Sequence, residues 1–148
     1  MTTTTGTATP RATPWWFWIV AGVSLLWNAF GGFDYTMSHV QGDAYMRSAG
    51  MTEPQIAFIA AYPTWMHAVW AVGVWGSVVG SLLLLARSRW AMHAFAVSTL
   101  GAAGSLLHTA TAPGGEFMGG LAFPIVIVVI CVLLAGFAWA MTKRGVLR

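Results

Sequence analysis

Charge is what this chain has least of. Seven Lys or Arg and four Asp or Glu serve 148 residues, 7% of positions, where an ordinary soluble domain carries charge at about 25%. So few ionic groups cannot clothe a water-solvated surface, which excludes a cytosolic enzyme or a nucleic-acid-binding domain. Cysteine is scarcer still: Cys131 stands alone, so there is no internal disulfide and no Cys/His spacing of the zinc-finger kind. A Gly-rich phosphate loop, a G-x-S-x-G elbow and an acid pair within an apolar run are all missing, which leaves hydrolase and nucleotide-dependent chemistry without a motif. What the chain has instead is apolar bulk, with 57% hydrophobic residues, nine tryptophans and a mean hydropathy of +0.70. Those proportions belong to a membrane protein. The net charge of +3 is a small excess, and where the bases stand matters more than their number.

Residues 1–14 mix Thr, Ala and Pro around a single charge, Arg11, and are expected to form a disordered cytoplasmic tail. Trp15 to Phe33 is free of charge, and about 19 residues at 1.5 Å each nearly match the ~30 Å hydrocarbon core. It reads as a first spanning helix. A cleavable leader is the competing reading, but only Arg11 precedes the run and no small-x-small site follows it before Asp34. Asp34 to Thr52 reads as a polar loop. Thr52-Glu53-Pro54 then offers a capping hydroxyl, an early acid and a first-turn proline. The helix they start is expected to run to Ala86, kinked near Pro63, with its span over about residues 60–86. Arg87-Ser88-Arg89 makes a tight turn, Trp90 to Thr111 a third uncharged span, Ala112 to Gly120 a loop and Leu121 to Met141 a fourth span. The expectation is an all-α protein, an integral membrane four-helix up-and-down bundle in one domain over residues 15–142, closed by a basic cytoplasmic tail at 143–148. There is no internal repeat, so inverted-repeat transport architecture gains no support.

The few charges then separate. Arg11, Arg87, Arg89, Lys143, Arg144 and Arg148 fall at the tail, the second connection and the C-terminus, on one side of such a bundle, and Asp34, Asp43, Glu53 and Glu116 fall on the other. Arg47 alone breaks the pattern. The positive-inside rule therefore places both termini in the cytoplasm. Trp15, Trp16, Trp18, Trp90 and Trp139 at the inner ends, with Tyr35, Tyr62 and Trp65 at the outer ends, suit headgroup anchoring. Trp65, Trp70 and Trp75 are five residues apart and point to different faces, which argues against an aromatic ligand box on that helix.

Small residues mark packing faces: Gly73, Gly76, Ser77 and Gly80 on the second helix, and Ala94, Ser98, Gly101, Ser105 and His108 on the third. Packing within the chain is one reading and a homodimer seam the other. Asn28 lies deep in the first span on a face with Ser24, Gly31 and Tyr35, and its amide needs partners there. Asn28, Ser24, Ser98 and Ser105 are thus candidates for a polar bundle interior. His67 and His108 fall near the outer ends of their helices, with Asp34 and His39 on the same side. Two imidazoles and a carboxylate at one level could bind a transition metal or relay protons, and His67 with His108 could ligate a haem. Ordinary interfacial histidines are the plainer reading, so no cofactor is expected, with haem or a transition metal as the minor alternative.

The run Trp16-Phe17-Trp18-Ile19-Val20-Ala21-Gly22, continuing to Leu25-Leu26-Trp27-Asn28, resembles the start of a family of small, largely uncharacterised four-span bacterial inner-membrane proteins. The resemblance continues through Pro63-Thr64-Trp65, Leu82 to Leu85 and Arg87-Ser88-Arg89-Trp90-Ala91, over about residues 15–144. It implies a multi-pass protein of the bacterial inner (cytoplasmic) membrane. Some members carry an automatic sugar-transporter label, and the family supplies no catalytic or binding residue. Sugar uptake needs a polar cavity at mid-membrane, and four helices leave little room for one, so transport would call for an oligomer. The first helix also lacks the intramembrane carboxylate of small multidrug-type carriers, and Pro54-Gln55 is a helix start outside the membrane with no second copy. The leading expectation is a non-enzymatic inner-membrane protein, either an accessory subunit or a minimal transport unit. An oligomeric solute carrier and an outer-side histidine metal or haem protein are the alternatives. The expected partners are the lipid bilayer and a homo-oligomer or larger membrane complex, with no nucleic acid.

Overall fold

The computed structural model describes residues 12–148; most of the expected N-terminal tail, through Arg11, lies outside them. Among the described residues the chain is all-α, with six α-helices, one short 3-10 turn and no strand. Helix α1 spans Trp15–Val40, 26 residues. It continues past the expected end at Phe33 because its polar last turns bond to themselves: Thr36 Oγ1 donates to the Gly32 carbonyl at 2.7 Å, and His39 Nδ1 lies 2.8 Å from the Tyr35 carbonyl. The segment read as a loop is thus largely helical. After Gly42, in the left-handed region at φ 57°, helix α2 covers Asp43–Ser48.

Helix α3, Glu53–Ala60, starts where the Thr52-Glu53-Pro54 signal places it, with the Gln55 Oε1 accepting from the Thr52 N–H at 2.8 Å. The single kinked helix expected over Gln55 to Ala86 is instead two helices, because α4 begins only at Thr64 and ends at Leu85. Proline explains the break. Pro63 has no N–H to donate and disfavours helical geometry at Tyr62, so the chain turns there and restarts with Pro63 as the cap. Helix α5 is Ala91–Thr111, the 3-10 turn is Gly115–Met118, and α6 is Ala122–Lys143. Three of these, α1, α4 and α6, are long and apolar enough to cross a membrane. Helix α5 has membrane length but trades bulk for Ala, Gly, Ser and Thr, which fits its place between α4 and α6, packed against both.

Contacts run α1 to α4, α4 to α5 and α5 to α6. The first two pairs are antiparallel: Ser24 meets Ser81 while His39 meets His67, and Gly73 meets Gly101 while Gly80 meets Phe95. One end is closed by an apolar core of Phe17, Leu84, Ala91, Phe95, Ala138 and Met141. The basic C-terminal tail contributes to that core. Val146 and Leu147 are buried, Arg89 N–H donates to the Arg148 carbonyl at 2.9 Å, and Arg148 N–H donates to the Arg87 carbonyl at 2.8 Å. Arg87, held at φ 57°, also donates through Nε to the Val146 carbonyl at 3.1 Å. The bases Arg87, Arg89, Lys143, Arg144 and Arg148 therefore gather at this end, and the acids belong to segments at the other.

The small-residue stripes join α4 to α5 within the chain. A Cβ built on Gly101 would stand 2.5 Å from the Gly73 nitrogen and 2.7 Å from its Cα, and one on Gly80 would enter the Phe95 ring at 2.8 Å. Backbones this close leave no room for a methyl group. Gly101→Ala is accordingly expected to destabilise the protein by about 1–3 kcal/mol in reversible detergent unfolding. Gly136→Ala, whose added Cβ meets nothing within 4 Å, is expected to be neutral or to stabilise by up to about 1 kcal/mol.

Candidate functional site

Two constellations gather some of the polar residues singled out from the sequence. The first lies between α1 and α4. Ser24, Asn28 and Ser81 are 4%, 6% and 0% exposed. Ser81 Oγ donates its one proton to the Ser77 carbonyl at 2.9 Å, so it can only accept from the others. It accepts from Asn28 Nδ2 at 2.9 Å, and Ser24 must be the donor in the 2.7 Å contact between the two hydroxyls. Ser24 Oγ in turn receives the other amide proton of Asn28 at 3.4 Å. Because neither hydroxyl has a proton left for Asn28, the atom facing them is the amide nitrogen. The result is a knot whose three side chains touch directly through the hydroxyls and the amide nitrogen, with no space for a solute between them.

Sequence reasoning found Asn28 and Ser24 but missed Ser81, the acceptor at the centre. The available signal was the Ser77/Ser81 pair four residues apart, which puts two hydroxyls on one helix stripe. Ser98 and Ser105 do not join the knot. Ser98 is buried and donates to the Gly73 carbonyl, with Cys131 Sγ at 3.8 Å. Ser105 is half-buried, and its carbonyl accepts from Thr109 Oγ1 at 3.0 Å. Among the described residues, Thr13 Oγ1 is the one fully buried side-chain N or O without a partner.

The second constellation is at the opposite end from the C-terminal core. His39 Nε2 lies 3.3 Å from His67 Nδ1, joining the last turn of α1 to the first of α4. Tyr35 stacks on His39 at 4.2 Å between ring centroids, and Trp70 approaches both Tyr35 and His39 at 4.9 and 5.5 Å. Tyr62, in the break before α4, contacts His67 at 5.8 Å and His108 at 5.1 Å with its ring edge-on. His108 is further enclosed by Phe58 and Trp65. The tryptophans at 65, 70 and 75 do reach separate neighbours: His108, the Tyr35/His39 pair, and the α1 backbone at Gly32.

Of the four residues read as metal ligands, His39 and His67 meet. His108 packs instead among Tyr62, Phe58 and Trp65. Asp34 is drawn elsewhere, accepting from the Tyr45 hydroxyl at 3.0 Å. Burial first and the Asp34 carboxylate second hold the Tyr45 phenol above its ordinary range. Among the described residues no three of His, Cys, Asp and Glu stand together as a metal cluster. Glu116 is engaged locally, accepting from Gly114 N–H at 3.0 Å, and His93 packs on Trp90 at 5.1 Å.

No protein family, curated protein or solved structure matches this chain. Its own residues therefore carry the functional reading. Arg47, the base that broke the charge separation, is neutralised where it stands, donating to Glu53 at 2.6 and 3.1 Å with Asp43 at 3.7 Å. The Arg47 hydrogen bonds hold the Glu53 carboxyl below its ordinary range.

Two outcomes are expected. Asn28→Ala and Ser81→Ala should each destabilise the protein, and a double-mutant cycle between them should show a coupling of about 0.5–2 kcal/mol in detergent unfolding. Glu53 has its folded pKa depressed, so its ion pair contributes above the unfolded carboxylate value and is lost as pH falls through the folded one. Acidification below the usual carboxylate range should speed amide hydrogen exchange in α2 and α3 relative to α4, and Glu53→Gln should abolish that difference.

Proposed function

We propose that the protein is a four-helix membrane unit with no enzymatic activity, an accessory subunit of the bacterial inner membrane with both termini cytoplasmic. The knot of Ser24, Asn28 and Ser81 carries this reading. A carrier needs unspent hydrogen-bonding groups converging on a cavity at mid-membrane, whereas here the Asn28 amide nitrogen and the Ser24 hydroxyl are spent within the knot and the Ser81 proton on the Ser77 carbonyl. A redox or hydrolytic enzyme would need reactive groups brought together, and the intramembrane polar residues do not provide them.

Helix α5 completes the membrane reading as the fourth span. Its 21 residues suffice for the hydrocarbon core, it contains no Asp, Glu, Lys or Arg, and its threonine hydroxyls at 99, 109 and 111 bond to carbonyls of the helix itself. Large apolar side chains face outward on all four long helices, including Leu26, Phe30, Val79, Leu100, Phe123 and Leu133. Such a surface suits acyl chains or the helices of a larger membrane complex. By the positive-inside rule the gathered bases support a cytoplasmic side for the C-terminal core, with the acids and the histidine cluster outside.

Reconstituted in proteoliposomes and tested against a solute panel that includes mono- and disaccharides, the protein is expected to give no flux above protein-free vesicles. Sugar flux that disappears in Asn28→Ala, with helicity and unfolding midpoint retained, would establish the carrier instead. A reporter fused at the C-terminus should be active only if it is of the kind that works in the cytoplasm; activity of a periplasm-dependent reporter there would reverse the orientation.

A further inference from the structure

We infer that His39 and His67 form a metal-binding pair, a site for zinc(II) that ties the end of α1 to the start of α4. The inference does not depend on the accessory role. It starts from how His39 is held. Its Nδ1 lies 2.8 Å from the Tyr35 carbonyl, an atom that can only accept, so Nδ1 carries the proton and Nε2 is left with a lone pair. A ring nitrogen oriented by a backbone acceptor on its other side is the arrangement that metal-ligating histidines use, because it fixes tautomer and ring direction and raises the basicity of the free nitrogen. The stacked Tyr35 ring and the flanking Trp70 further restrict how His39 can turn.

The second ligand is already at the required distance. His39 Nε2 and His67 Nδ1 are 3.3 Å apart, and two nitrogens bound tetrahedrally to zinc at about 2.0–2.1 Å lie about 3.3–3.4 Å from each other. The helices need not move. In the free protein His67 Nδ1 must donate to the His39 lone pair. To ligate, His67 shifts its proton to Nε2 through solvent and turns its ring, so the neutral pair takes up the ion with no net proton release. Both residues come from different helices, 28 positions apart, and the pair is exposed enough for an ion to reach it.

The protein then supplies two of four ligands, and water fills the other positions. Asp34, committed to Tyr45, and His108, packed among Tyr62, Phe58 and Trp65, are not among them. Zinc is favoured over calcium or magnesium because the donors are imidazole nitrogens with no carboxylate beside them. An ion bound here stabilises the folded state by linkage, since the unfolded chain holds the two rings apart.

The test uses the full chain purified without a polyhistidine tag, titrated with Zn²⁺ by calorimetry and thermal unfolding. One equivalent should bind, and the unfolding midpoint should rise with Zn²⁺ concentration. His39→Gln and His67→Gln should each weaken binding at least about tenfold and remove the thermal shift, while His108→Gln and His93→Gln keep both. A wild-type measurement guards against variants that fail to fold: Zn²⁺ should perturb the imidazole resonances of His39 and His67 and leave those of His93 in place. No binding by the wild type, binding unchanged in His39→Gln or His67→Gln, or loss in His108→Gln equal to theirs would overturn the assignment.

Discussion

A buried primary amide has to be satisfied by its surroundings, and the packing of this chain follows from how Asn28 is satisfied. An unpaired amide in an apolar medium costs several kcal/mol on the least forgiving scales and about 1–3 kcal/mol in mutational terms. Here Nδ2 is answered by Ser24 and Ser81, which fixes both the rotation of α1 and its register against α4. The same register brings Gly32 under Val78 and Trp75, and His39 beside His67. A one-residue shift of either helix would break the knot and separate the histidines together. Apolar contact alone could not impose that choice, since one greasy helix face slides on another at little cost when lipid is the solvent.

The remaining helices are joined by a different device. Between α4 and α5 the specificity comes from absence of side chain, with Gly73, Gly76 and Gly80 opposed to Gly101, Ser98 and Phe95. Close backbones multiply weak dispersion contacts and permit only one fit. At the basic end the C-terminal residues return to the turn between α4 and α5 and bury Val146 and Leu147. The molecule is thereby fastened by hydrogen bonds at one seam, by steric fit at another and by a backbone clamp at one end. This arrangement spends interior polarity on cohesion, and the accessory role we propose rests on that.

Much of this was legible in the residues. Uncharged runs gave the long helices, Thr52-Glu53-Pro54 gave the start of α3, and the Ser24/Asn28 face and glycine stripes pointed to the seams that form. The misreadings have physical causes. Asp34, Thr36 and His39 read as loop because polarity suggests the end of a helix, whereas α1 continues with those groups bonded to its own backbone or to Tyr45. Pro63 was expected to bend a helix that it in fact divides, its effect compounded by the constraint on Tyr62. Ser81 shares a helix stripe with Ser77, but which of two serines on a stripe meets Asn28 depends on the register of α4 against α1, which the local sequence does not give. Val146 and Leu147 were hidden among bases, where two apolar residues are too few to announce a docked segment. Whether histidines from separate helices meet depends on helix register, a long-range property that local sequence does not encode.

The central claim is that the polar interior around Asn28 is dry and closed. Hydrogen–deuterium exchange of the Asn28 side-chain amide protons, followed by NMR on the full chain in detergent or nanodiscs, addresses it directly. Strong protection, lost when Ser81 is replaced by Ala, is the predicted result. Exchange as fast as that of a solvent-exposed asparagine would mean that water reaches the knot, and would contradict the account.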